Sequence, residues 1–217
     1  MSIPEDFFST AQYGTLTRMQ NLIQDEGIQP DTADNDGRTA LSWAAETGNL
    51  SVAEFLLCQS NINADKKDNA GRTALTMAAH YGHVKVVQLL LARQDVNPNW
   101  PDTVWKQTPL FRAAMEGRYG VVTELLNRIP SVDFNARDKH GQTPLAVAAD
   151  RGHANIVKAL LEVGVKDDPP DCEGRTAFSR AEAKNRDAVI RLLRKYLKGE
   201  SEPSYVGNQT YVLCCPF

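Results

Sequence analysis

Residues 71–91 read GRTALTMAAHYGHVKVVQLLL, and the rest of the chain repeats this stretch with substitutions about every 34 residues. The opening threonine recurs at spacings of 34, 35, 35 and 33 residues, as Thr39, Thr73, Thr108, Thr143 and Thr176. A period of this length is typical of a solenoid, in which similar units stack in a row. The period therefore predicts the architecture before any single helix is assigned.

Each copy is predicted to form two short helices. Thr73 is suited to the helix N-cap because its hydroxyl can accept from first-turn amides, and in two copies the next residue is Pro109 or Pro144, which suits the first helical position. Gly82 can adopt the left-handed conformation that ends the first helix. The second helix has a predicted buried stripe of Val84, Val87, Leu90 and Leu91. Two short helices cannot bury both faces alone, so neighbouring copies must stack.

The copies GRTALSWAAETGNLSVAEFLL, GRTALTMAAHYGHVKVVQLLL, KQTPLFRAAMEGRYGVVTELL and GQTPLAVAADRGHANIVKALL resemble ankyrin repeats. They share the Thr-Pro/Ala-Leu, Ala-Ala, Gly and Leu-Leu positions, and the resemblance covers roughly residues 1–198. It implies an all-α ankyrin-repeat solenoid of about six helix-turn-helix repeats with hairpin-like fingers, capped at both ends. One position departs from the family, because its histidine after Thr-Pro-Leu is replaced by Ser42, Thr76, Phe111, Ala146 and Ser179. We expect the serines and threonine to keep some hydrogen bonding between repeats, and the joints at Phe111 and Ala146 to depend more on packing.

The repeats divide the chain into seven segments. They are a degenerate N-terminal capping repeat (1–33), ankyrin repeats (34–67 and 68–100), a repeat with an irregular Trp-containing finger (101–137), a further repeat (138–170), a C-terminal capping repeat (171–198) and a tail (199–217). In the first repeat, Phe7 and Phe8 are expected to pack on the second copy. In the last, Asn185 replaces the helix-ending glycine, which asparagine tolerates in a left-handed conformation. The basic outer helix of that repeat is consistent with a solvated end cap or with an acidic partner surface.

Composition excludes several function classes. The net charge is -3, with no lysine-arginine block before the last repeat, so no nucleic-acid partner is expected. No apolar run approaches 18 residues and no secretory signal is recognisable, which predicts an intracellular, cytoplasmic or nuclear protein without a membrane span.

Four cysteines, Cys58, Cys172, Cys214 and Cys215, lack metal-ligand spacing, so no metal is expected. Cys58, at the end of a second helix, is expected to be a small buried hydrophobe.

In the ankyrin family, the fingers and the exposed ends of the first helices line a concave surface that holds partners. The resemblance implies a partner-binding surface at the matching positions of this chain. These are Asn35, Asp36, Arg38, Trp43, Glu46, Thr47, Asn69, Ala70, Arg72, Met77, His80, Tyr81, Arg112, Met115, Glu116, Lys139, His140, Gln142, Asp150 and Arg151.

The pattern breaks at residues 97–106, which read NPNWPDTVWK. This stretch is one residue longer than the other fingers and is interpreted as lacking both their aspartate and their glycine. Tryptophan is enriched among residues that dominate binding energy, so Trp100 and Trp105 are candidate binding residues, near the groove centre with Tyr81 and Met115. The alternative is that one or both pack over Met115 and Phe111 and seal a joint.

The sequence contains no P-loop, dinucleotide fingerprint, His-Glu-x-x-His motif or nucleophile elbow, so no cofactor or catalytic activity is expected. The predicted function is that of a non-catalytic protein-protein interaction module, an adaptor or scaffold that is monomeric alone and binds another protein along its groove. A less favoured alternative is an enzyme using that groove, with His80 and His140 near acidic groups. Another is a tail-lipidated, membrane-associated adaptor, because residues 214–217 match the C-a-a-X pattern, although an ordinary tail fits them as well.

Overall fold

The computed structural model describes residues 6–128, 131–165 and 169–197, so the predicted tail lies outside the described residues. Within these ranges the chain forms twelve helices, arranged as six helix-turn-helix pairs. The helices are α1 (Asp6–Tyr13), α2 (Leu16–Gln24), α3 (Ala40–Thr47), α4 (Leu50–Leu57), α5 (Ala74–Tyr81), α6 (Val84–Leu91), α7 (Pro109–Met115), α8 (Tyr119–Leu126), α9 (Pro144–Arg151), α10 (Ala154–Glu162), α11 (Ala177–Ala183) and α12 (Asp187–Leu197). This confirms the predicted all-α repeat solenoid.

The five repeated threonines begin the first helices of repeats two to six. Each has an extended backbone, and its side-chain oxygen accepts a hydrogen bond from the amide three residues later, at 3.1–3.3 Å. Thr76 and Ser179 complete reciprocal capping boxes with their own N-cap residues. Their hydroxyls thus bond within a repeat, which differs from the expected bonding between repeats, because the N-cap threonine is the nearer partner.

Left-handed residues follow the first helices of repeats two to six. Gly82 has φ 90°, and Asn185 has φ 53°, as predicted for the last repeat. Asparagine tolerates this region because its short side chain can bond locally.

The core lies between two layers of helices. The odd-numbered helices contact one another in chain order, and so do the even-numbered ones. Equivalent leucines of the odd-numbered helices are at most 1% exposed in four successive repeats, at Leu41, Leu75, Leu110 and Leu145. Phe7 is fully buried and Phe8 packs against the core, and their helix, α1, contacts α3 of the second repeat. Burial of each leucine contributes about 2 kcal/mol, so stacking supplies the hydrophobic interior.

From the third repeat onward, one side chain of each repeat forms a hydrogen bond with a backbone carbonyl of the preceding repeat. His83 Nε2 lies 2.9 Å from Glu46 O, and His153 Nε2 lies 3.2 Å from Met115 O. Arg118 and Arg186 occupy the matching positions in their repeats and donate through Nε to His80 O and Asp150 O, at 3.0 and 3.3 Å. The two histidines therefore have a structural role, and the arginines provide the same contact.

The fingers are joined along one edge by a ladder of backbone hydrogen bonds. The donors Asn69, Thr103, Lys139 and Cys172 each bond to the preceding finger, with N···O distances of 2.8–2.9 Å. The ladder places the fingertips and the ends of the first helices side by side. The fingers and the adjoining ends of the first helices therefore form one continuous surface, which we call the inner face.

Cys58 is exposed, so its predicted burial is wrong. It is the C-cap of α4, one residue beyond the last turn of that helix, and the buried stripe ends at Leu57. In the part of the chain that the structure describes, no helix has the length and apolar character required to cross a bilayer.

Candidate protein-interaction surface

An aspartate organises each finger, and it is buried in all of them except the second, where Asp34 is partly exposed. We define five fingers as residues 34–38 (second), 68–72 (third), 102–107 (fourth), 138–142 (fifth) and 171–175 (sixth). In the third finger, Asp68 Oδ1 accepts from the amides of Ala70 and Arg72, at 2.9 and 2.8 Å. In the fourth, Asp102 Oδ1 accepts from Val104 and Trp105, at 3.0 and 2.6 Å. Such local bonds stabilise tight turns.

The interpretation that the fourth finger lacks its aspartate is therefore wrong. Asp102 performs that role, and the extra residue in the turn displaces it from the usual spacing. Lys106, with φ 60°, stands where the other fingers have glycine.

The second oxygen of each of four finger aspartates holds a side chain on the inner face. Trp43 Nε1 donates to Asp34 Oδ2 at 3.0 Å, and Arg112 Nη2 donates to Asp102 Oδ2 at 3.1 Å. Arg72 bonds to Asp68 and Arg180 bonds to Asp171 in the same way. Four inner-face residues therefore have fixed positions before any partner arrives.

Hydrogen bonding also controls the ionisation of the sixth finger's aspartate. Burial raises the pKa of Asp171, but bonds from the amides of Arg175 and Glu173 and from the side chains of Arg180 and Arg175 outweigh it. The pKa of Asp171 is consequently well below its usual range. The carboxylate stays charged at neutral pH and can hold Arg180.

The inner face contains a small depression between the third and fourth repeats. It is lined by Arg72, Thr76, Met77, His80, Tyr81 and Arg112. Met77 is only 6% exposed, and Tyr81 is 42% exposed. The His80 ring lies edge-on to Tyr81, with centroids 4.8 Å apart. The structure thus brings together five of the residues predicted to bind a partner, with Tyr81 the most accessible apolar group.

His80 has an unusual electrostatic environment. Burial lowers the pKa of His80, as do the charges of Arg112 and Arg118, while Glu116 opposes the shift. Within the described ranges, His80 Nδ1 and Arg112 Nε are buried without a hydrogen-bond partner. A neutral imidazole beside an arginine can accept or donate a hydrogen bond but supplies no second positive charge.

Glu46 connects this depression to the second repeat. Arg38 Cζ lies 3.6 Å from the centre of the Trp43 ring, and Arg38 Nη1 lies 4.0 Å from Glu46 Oε2. Burial raises the pKa of Tyr81, and the charge of Glu46 and a hydrogen bond to it raise it further. The predicted residues of the second and third repeats thus form one continuous surface.

The structure does not bring the two exposed tryptophans to the depression. Trp100 is 37% exposed, its Nε1 donates to Asp65 Oδ2 at 3.0 Å, and Lys67 Nζ lies 3.3 Å from the ring centre. Trp105 is 41% exposed, and its neighbours are Lys139 and His140 on the fifth finger. Neither indole is buried over the contact between two repeats, and the two lie in different surroundings.

The remaining predicted residues are dispersed. Met115 is half-buried against the core at the end of α7, and Glu116 follows it. Asp150 pairs with Arg180 Nη1 at 3.4 Å, whereas Arg151 is exposed at the end of α9. Across the residues that the structure describes, no group of three His, Cys, Asp or Glu side chains could hold a metal ion.

Comparison with known families now identifies the chain. The family model for ankyrin repeats (three copies) matches residues 7–102, 61–138 and 110–202. This chain belongs to the ankyrin repeat family. Ankyrin repeats are in general protein-interaction modules.

Curated relatives match only part of the ankyrin array. Alpha-latrocrustotoxin-Lt1a of Latrodectus tredecimguttatus is 33% identical over 93 residues, which is 43% of this chain and 6% of that protein. Acyl-CoA-binding domain-containing protein 2 of Arabidopsis thaliana is 52% identical over 46 residues, or 21% of this chain and 13% of that protein. Transient receptor potential cation channel subfamily A member 1 of Homo sapiens is 42% identical over 60 residues, or 27% of this chain and 5% of that protein. Each match spans a small fraction of its relative.

Solved structures with this fold match most of the chain. The ankyrin repeat protein EF0377 has a TM-score of 0.80 and 22% identity, covering 90% of this chain and 99% of that one. A chain from the complex of a predatory endopeptidase of Bdellovibrio bacteriovorus with an immunity protein has a TM-score of 0.75 and 24% identity, covering 89% of this chain and 99% of that one. At these identities the likeness establishes the shared ankyrin fold.

Proposed function

We propose that this ankyrin array is a non-catalytic adaptor or scaffold that binds one partner protein along its inner face, centred on the depression at Tyr81. The observation that carries the proposal is the composition of that depression. An exposed tyrosine, a buried methionine and two arginines, Arg72 and Arg112, line it together. An aromatic centre with a polar rim is typical of protein-binding patches, and tyrosine and arginine are enriched among the residues that dominate their energy.

The two arginines support the proposal through their prior order. Arg72 Nη2 lies 2.7 Å from Asp68 Oδ2, and Arg112 Nη2 lies 3.1 Å from Asp102 Oδ2. Each immobilised long side chain costs about 1 kcal/mol of binding energy when it is ordered on association. Side chains that are already held reduce that cost.

The openness of the depression favours binding over catalysis. Tyr81, one of its lining residues, is 42% exposed to solvent. Catalytic sites commonly exclude water to strengthen electrostatic interactions, and an open surface does not do so. The general use of ankyrin repeats in protein interaction agrees with this proposal.

The test compares two exposed tyrosines. A partner isolated by affinity capture is purified, and its Kd for the chain is measured by calorimetry. Tyr81→Ala is expected to raise Kd at least about tenfold, equivalent to about 1.4 kcal/mol. Tyr119→Ala is the matched control, because Tyr119 is 48% exposed at the start of α8 and does not line the depression.

Both variants should keep the wild-type thermal midpoint, since each removes an exposed side chain. An unchanged Kd in Tyr81→Ala, or an equal loss in Tyr119→Ala, would contradict the proposed binding centre.

A further inference from the structure

We propose that the adjoining tips of the fourth and fifth fingers bind an acidic segment of a partner protein that carries an apolar side chain. We call this surface the basic tip and define it as Val104, Trp105, Lys106, Lys139 and His140. The inference rests on the proposed function, because it specifies the chemistry of the partner. It concerns the fingertips and not the depression, so the two can be tested separately.

The basic tip exposes apolar groups that the fold does not require. Val104 is 51% exposed and Trp105 is 41% exposed. The bonds that hold this finger use backbone atoms of both residues, namely their amides to Asp102 and the Trp105 carbonyl to Lys139 N. Smaller residues serve in the third finger, where Asn69 and Ala70 form the tip. Valine and tryptophan therefore provide contact area beyond what the turn needs.

The accessible charge of the basic tip is positive. Lys106, Lys139 and His140 are exposed, and Lys139 Nζ lies 3.4 Å from the centre of the Trp105 ring. The carboxylates of these two fingers, Asp102 and Asp138, are 1% and 6% exposed and bond to their own backbones.

The second and sixth fingers, at the two ends of the ladder, differ because they expose acidic side chains. The second finger exposes 73% of the Asp36 side chain and the sixth exposes 63% of Glu173. Charge complementarity therefore favours an acidic partner at the fourth and fifth fingers and not at the ends of the ladder.

The backbone of the fourth finger gives independent support. Lys106 has φ 60°, whereas the matching positions in the other four fingers are glycines with φ 75–78°. A non-glycine residue in this region costs about 1 kcal/mol, and such strain is concentrated at functional sites. Glycine would form the turn at lower cost, so folding alone does not account for a lysine at this position.

An acidic segment with one apolar residue matches these groups. Its carboxylates would accept hydrogen bonds from the lysine ammonium groups, and its aliphatic or aromatic side chain would pack on Trp105 and Val104. The lysines are solvent-exposed, so binding should weaken as salt screens the attraction.

The test is a selection of random twelve-residue peptides displayed on phage against the full chain. Recovered peptides are synthesised and their Kd values measured on three single variants, Trp105→Ala, Trp100→Ala and Tyr81→Ala. Trp100 is the matched control because it is a similarly exposed indole with a lysine over its ring. Lys139→Glu tests the charge, and circular dichroism verifies that every variant is folded.

We expect peptides with net negative charge and at least one aromatic or aliphatic residue. Their Kd should rise at least tenfold in Trp105→Ala and in Lys139→Glu, and should be unchanged in Trp100→Ala and Tyr81→Ala. Binding should weaken several-fold between 50 and 300 mM NaCl.

Three results would overturn this inference: recovery of no peptide that depends on Trp105, dependence on Trp105 only among neutral or basic peptides, or an equal loss in Trp100→Ala. Peptides that depend on Tyr81 alone would overturn the basic tip while supporting the binding centre at the depression. Peptides that depend on neither residue would count against both.

Discussion

In the third finger, Asp68 accepts hydrogen bonds from the Ala70 and Arg72 amides, and in the fourth, Asp102 accepts them from Val104 and Trp105. Each carboxylate also holds an arginine on the inner face. The tips differ, because the third finger ends in Ala-Gly whereas the fourth ends in Val-Trp-Lys.

The comparison shows which finger groups the turn depends on and which side chains can vary. A buried carboxylate, the backbone ladder and a left-handed residue are common to both fingers, so the turn depends on these features and not on the tip side chains. The tip side chains vary without disturbing the stack, and even one additional residue is accommodated. Functional variation can therefore accumulate at the tips while the interior is conserved in character from repeat to repeat.

The largest expected effect comes from removing the shared carboxylate. Asp102→Ala leaves Arg112 without its ion partner and two amides without their acceptor, so it should destabilise the protein by about 3 kcal/mol in urea unfolding. Asp68→Ala should have a similar effect. A loss in Asp102→Ala of less than half that in Asp68→Ala would show that the fourth finger is held in another way.

A second comparison uses two finger glycines with the same backbone. Gly71 and Gly174 have φ 76° and 75°, but a Cβ on Gly71 would lie 2.6 Å from Thr103 Cγ2, whereas a Cβ on Gly174 meets nothing within 4 Å. Gly71→Ala should cost about 2 kcal/mol, from strain plus crowding against the fourth finger, and Gly174→Ala about 1 kcal/mol, from strain alone.

Equal unfolding free energies for the two variants would mean that stacking of the fourth finger on the third does not constrain Gly71. The measurement is again urea unfolding, with the wild-type chain as reference.

The smallest effect has the opposite sign. Lys106→Gly removes the left-handed strain of the fourth finger and should stabilise the protein by about 0.5 kcal/mol, because the greater freedom of glycine in the unfolded chain offsets part of the gain. Differential scanning calorimetry should show a slightly higher Tm. A lower Tm would indicate that the Lys106 side chain contributes to folding, which would remove one support for the basic tip.

The helices could be predicted from the sequence because their signals are local. A threonine N-cap, a glycine or asparagine that ends a helix, and leucines at helical spacing each act within one repeat. The groove residues Arg72, His80 and Tyr81 also come together as expected, because their repeats keep the regular spacing.

The features that sequence reasoning missed depend on neighbours. Asp102 went unrecognised because the additional residue displaces it from the Asp-x-x-Gly spacing. Arg118 was not predicted to replace a joint histidine, since only the stacked repeat shows which carbonyl it reaches. Trp100 lies beside Asp65 and Lys67 of the preceding repeat, a contact that the residues next to Trp100 in the sequence do not specify.

The central claim is that stacking of the repeats buries the apolar side chains, so that the inner face remains available to bind a partner protein. Hydrogen-deuterium exchange of the chain, with and without the purified partner, tests it most directly. We predict slower exchange on binding in residues 68–82 and 102–107, with no change in α4, α6 and α8. Protection confined to those three outer helices, with the fingers and α5 unaffected, would contradict it.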